Sequence, residues 1–69
     1  MTNKDKILND IYENFINDNN KDAVFLINKN FILYDFGELY LNFLKKKFLE
    51  NPYEIFAYHV IIFNRLTNR

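Results

Sequence analysis

The chain contains no cysteine and no serine, and it holds one glycine, one proline and one histidine. Without cysteine there are no disulfides and no thiolate metal sites. Side-chain nucleophiles of the hydroxyl or thiol type reduce to Thr2 and Thr67, near the two ends, and to tyrosines. A lone glycine removes P-loops and dinucleotide-binding fingerprints, which need several. A lone histidine leaves any metal dependent on carboxylates. Long apolar runs are missing too: a spanning helix needs about 20 apolar residues, and no stretch approaches that. "MTNKDKILNDIYENF" carries acidic residues where a signal peptide would be apolar. A cytoplasmic protein without membrane association is expected. Finally, no sign of charge dominates. A formal net charge of zero argues against both an acidic DNA mimic and a basic nucleic-acid coat.

What is present is apolar and aromatic. The chain has 69 residues, 49% of them hydrophobic and 19% aromatic. This length makes a single domain, 1–69, and so small a domain hides only about 60% of the surface its unfolded chain exposes. Some large side chains must therefore sit outside. With no disulfide and no metal to act as a staple, self-association as a homodimer or docking on a protein partner is the expected remedy. Asn, Lys, Ile, Phe and Tyr make up more than half the residues. Their codons are AT-rich, which points to a low-GC bacterium or its phage. Charge is also split along the chain: residues 1–38 carry four Lys against seven Asp/Glu, and residues 39–69 carry five Lys/Arg against two Glu. Such a bipolar arrangement orients docking.

The patterning predicts a helix over 2–18, with Thr2 and Asp5 at capping-box spacing and Ile7, Leu8, Ile11, Tyr12, Phe15 and Ile16 on one face. "NDNNKD", 17–22, reads as a loop. "AVFLI" (23–27) and "FILYDF" (31–36) around "NKN" read as a β-hairpin. A helix over 38–50 follows, although "ELYLNF" alternates as a strand would. Asn51 as N-cap and Pro52 at the first helical position open a last helix over 52–66. The expected fold is thus α+β, ordered α-β-β-α-α, with α-β-β-β-α as the alternative.

Four constellations invite chemistry. In the last helix Ile55, Phe56, His59, Ile62, Phe63 and Leu66 share one face at 100° per residue, which makes His59 a core histidine. Nothing near it in sequence supplies the nucleophile or orienting carboxylate a catalytic histidine needs. Asp18, Asn20 and Asp22 have the 1-3-5 spacing of a calcium loop, but Ala23 stands where that loop needs glycine and Lys29 where it needs a bidentate glutamate. Asp35-Phe36-Gly37 spells the magnesium-binding triplet of kinases in a chain far too short to be one. It reads instead as a strand-to-helix turn capped by Asp35. Lys45, Lys46 and Lys47 are candidate phosphate contacts beside aromatic rings, yet three consecutive lysines fan around a helix, and their stems can lie along apolar surface.

The remaining set is Glu54, Tyr58, Ile61 and Arg65, opposite His59 on the last helix. Tyrosine and arginine are favoured interface anchors, and Ile61 is apolar where water is expected. These four are the expected partner-binding residues. No catalytic residue, metal or cofactor is assigned. The expected function is a small non-enzymatic protein-binding module, in its most concrete form a phage or mobile-element inhibitor of anti-CRISPR type that occludes a host protein. The alternative is a small nucleic-acid-binding transcriptional regulator working through Lys45–Lys47.

Overall fold

A computed structural model describes residues 3–48 and 52–68. They form four helices: α1 (Asn3–Ile16), α2 (Asn20–Asn30), α3 (Leu33–Lys47) and α4 (Tyr53–Thr67). No strand occurs among the described residues, so the expected α+β class, in either strand count, is replaced by an all-helical one. Thr2, Glu50 and Asn51, which the sequence placed at caps and helix ends, lie outside the described residues.

α1 buries Leu8, Ile11 and Phe15, spaced three and four apart on one stripe. It ends where Asp18 turns into the left-handed region, φ 61°. The Asp18 N–H donates to the Phe15 carbonyl at 3.2 Å and the Asn19 N–H to the Asn14 carbonyl at 2.8 Å. This pair of bonds is a Schellman closure with Asp18 at the position glycine usually takes. The expected six-residue loop therefore shrinks to residues 17–19, and α2 starts at once, folded back along α1.

The hairpin expectation fails on α2. A five-residue apolar run cannot by itself separate a strand from a buried helix. A strand would put residues 23, 25 and 27 on one face. Instead Ala23, Val24 and Ile27 are buried and Phe25 is 62% exposed, which is helical spacing. "NKN" is the last turn of this helix rather than a hairpin turn. The actual break comes at Phe31 and Ile32, both extended.

α3 begins at Leu33 and carries the Asp35-Phe36-Gly37 triplet inside its first turns. The N-cap position is Ile32, not Asp35, so the expected strand-to-helix turn does not exist. Phe36, Tyr40 and Leu44 are buried at successive i+4 steps. The alternating reading of "ELYLNF" had put Tyr40 on the polar side, whereas its side chain is 0% exposed. α4 follows Pro52, whose carbonyl accepts the Phe56 N–H at 2.9 Å. That helix lies within a residue of the expected bounds. It turns His59 and Ile62 inward, but Leu66, assigned to the same face, is exposed.

Among the described residues the core draws on all four helices, and Ile11, Ile27, Tyr40 and Leu44 are almost wholly removed from water. Each aliphatic side chain buried in this way contributes about 1.5–3 kcal/mol. The radius of gyration is 11.1 Å, against about 11 Å for a well-packed chain of this length.

Candidate functional site

His59 is positioned by α4 at the meeting point of three helices. It is 4% exposed, and its Nδ1 lies 2.6 Å from the Tyr40 hydroxyl on α3. Phe15 of α1 stacks on its imidazole, centroids 4.4 Å apart with the planes inclined by 19°. Tyr12 meets the ring edge-on at 6.0 Å. Burial pushes the His59 pKa down from 6.5 to about 4, so the ring is neutral. With both groups neutral, the phenol donates to Nδ1 in the tautomer protonated on Nε2 and accepts from it in the other. Burial, reinforced by nearby Tyr12, pushes the Tyr40 phenol well above its usual value and keeps it protonated. Both partners are thus locked in their neutral forms. Tyr40 is the only side-chain hydrogen-bond partner of His59 among the described residues, which matches a core histidine and supplies no proton relay.

The four expected contact residues all face outward from α4. Tyr58 is 58% and Ile61 56% exposed, and Glu54 and Arg65 are exposed as well. This face is not covered by α1. Ile16, the last residue of α1, is 54% exposed and borders the same surface. A groove of about 410 Å³ runs there, with Tyr12 and Ile16 on the α1 side and Ile55 and Tyr58 on the α4 side. Asp18 and Glu54 give its walls a negative charge.

The lysine run does not make a common surface. Lys47 turns back to α1: its Nζ donates to Asn9 Oδ1 at 3.1 Å and sits 5.2 Å from the Tyr12 ring. Lys45 reaches the other way, 5.5 Å from the Tyr53 ring. All three lie in the last turn of α3, where cations offset the negative end of the helix dipole. Two of the three candidate phosphate contacts, Lys45 and Lys47, thus lie over rings of the same chain, and all three stay exposed. For the calcium spacing, Asn20 and Asp22 stand on α2, so no ligand loop exists. No group of three or more metal-ligating side chains occurs among the described residues.

Two residues escaped the sequence reading. Tyr40 was legible only from the helical period linking Phe36, Tyr40 and Leu44, which the competing strand pattern concealed. A buried tyrosine needs a hydrogen-bond partner, and the single core histidine is the natural one. Ile16 belongs by spacing to the apolar stripe of α1, yet it is 54% exposed because the stripe outruns the neighbour that would cover it.

No helix of the described residues is long and apolar enough to cross a membrane. Comparison with protein-family models, curated proteins and solved structures found no match. No match bears on the expected phage or mobile-element inhibitor, and its α+β description gives way to four helices.

Proposed function

We propose that this chain is a non-enzymatic protein-binding module whose working surface is the outer face of α4, continued by Ile16 of α1. The observation that carries the reading is the exposure of Tyr58 and Ile61, each more than half open to water and facing away from the core. Two such side chains side by side gain more from a partner than from solvent. Glu54 and Arg65 bracket them with opposite charges, which favour one docking direction over its reverse. His59 and Tyr40 face inward and satisfy each other, so the reading needs no reaction at that pair. A cytoplasmic location belongs to the same proposal.

The test is affinity capture from a low-GC bacterial lysate, with and without nuclease, using wild type and a Tyr58→Ala/Ile61→Ser variant. Both positions are exposed, so the variant should keep the wild-type circular dichroism and melting temperature. A stoichiometric protein captured by the wild type and lost with the variant supports the reading. Equal capture by both sinks the face assignment. Recovery that disappears with nuclease moves the site to the lysines.

A further inference from the structure

The outer face of α4 has an internal symmetry. Its exposed seam holds two pairs, Glu54 with Arg65 and Tyr58 with Ile61. Both pairs are centred on one point between His59 and Val60. A two-fold axis through that point, perpendicular to the helix, would lay a second α4 antiparallel on the first. Each Glu54 would then oppose an Arg65, and each Tyr58 an Ile61. The spacing 54, 58, 61, 65 alternates four and three, the seam along which two helices interlock. A parallel pair would instead set Glu54 against Glu54 and Arg65 against Arg65. Neither charge has an ion-pair partner within the chain among the described residues.

We infer that the partner of this face is a second copy of the chain, bound through an isologous antiparallel α4–α4 contact with two Glu54–Arg65 pairs at its ends. The inference rests on the proposed binding role of the α4 face and names its occupant. Isologous contacts require a self-complementary patch, and this one is self-complementary in charge and in its apolar pair. α4 has 15 residues and is therefore about 22 Å long. One helix face of that length is well short of the roughly 800 Å² per partner of a standard stable interface, so the dimer is a weak one.

Sedimentation equilibrium over a concentration series decides this, using wild type, Glu54→Arg, Arg65→Glu and the double exchange. Either single reversal places like charges at both ends and should weaken the dimer roughly tenfold, within the range of exposed charge pairs acting twice. The double exchange should restore wild-type association. An equimolar mixture of the two single variants should form a heterodimer tighter than either variant alone. All four positions of the seam are exposed, so melting temperatures at dilute concentration should coincide and separate association from folding. A wild type that stays monomeric at millimolar concentration overturns the second-copy assignment, while leaving the binding role to be judged by capture. Dimerisation that ignores the single reversals overturns the antiparallel arrangement.

Discussion

The Tyr40 hydroxyl and His59 Nδ1, 2.6 Å apart, join α3 to α4 in the middle of the fold. Each is the group that lets the other be buried. Removing one should leave the remaining polar atom stranded, at a cost of about 1–3 kcal/mol. Tyr40→Phe and His59→Phe should each destabilise by at least that amount, and the double variant by less than the sum. Urea titrations of the four proteins should give a coupling of about 1 kcal/mol or more. Strict additivity would mean that the hydrogen bond contributes nothing to stability.

The same pair gives the fold a pH dependence of definite sign. The folded His59 titrates at about 4 against 6.5 for an unburied ring. Between these values the unfolded chain takes up a proton that the folded chain refuses. Stability is therefore full above pH 6.5, falls as pH drops, and has lost the whole contribution below pH 4. The contribution amounts to at most about 3 kcal/mol. Urea midpoints at pH 7, 6 and 5 should fall for the wild type and stay nearly level for Tyr40→Phe/His59→Phe. A flat wild-type profile over that range would contradict the burial of a neutral imidazole.

Asp18 closes α1 with φ 61°, a conformation glycine adopts without strain. Asp18→Gly should raise stability by about 0.5–1 kcal/mol, read as an increase of a few degrees in melting temperature. Asp18→Val, β-branched and poorly tolerant of positive φ, should lower it. A glycine variant that melts earlier than the wild type would show that the closure has a different geometry.

Gly37 presents the reverse case. It lies within α3 without a positive φ, and an added Cβ would meet only the Phe56 Cζ at 3.9 Å, an ordinary contact. Neither backbone nor packing demands glycine here. Gly37→Ala should stabilise the protein by about 0.5–1 kcal/mol through helix propensity alone, measurable in the same titrations. Destabilisation would mean that this stretch of chain is not helical.

Helices were legible wherever polar residues interrupted apolar ones at helical spacing. α1 and α4 carry such interruptions: Lys6, Asn9 and Asp10 mark the outer side of α1, and the opposition of His59 and Tyr58 marks the two sides of α4. The stretch 23–36 does not. "AVFLI" and "FILYDF" are too uniformly apolar for period to speak, and the asparagines between them resemble a turn. In the fold Asn30 instead serves the helix end, its Nδ2 donating to the Leu26 carbonyl at 3.0 Å. Tertiary burial of Ala23, Val24 and Ile27 decides the matter, and that cannot be read from five residues. The outward set on α4 was visible because each member sits 100° or more around the helix from His59. Which partner covers it depends on a symmetry about the helix midpoint that matters only once α4 is known to be free on that side.

The most direct measurement is an amide NMR dilution series from 1 mM to 20 μM, with shifts assigned along the chain. The expected result is concentration-dependent shifts concentrated at Glu54, Tyr58, Ile61 and Arg65, with Ile16 at the margin and the buried Tyr40 and Leu44 unmoved. Shifts centred on Lys45–Lys47 or on the exposed side of α2, or none at any concentration, would contradict it.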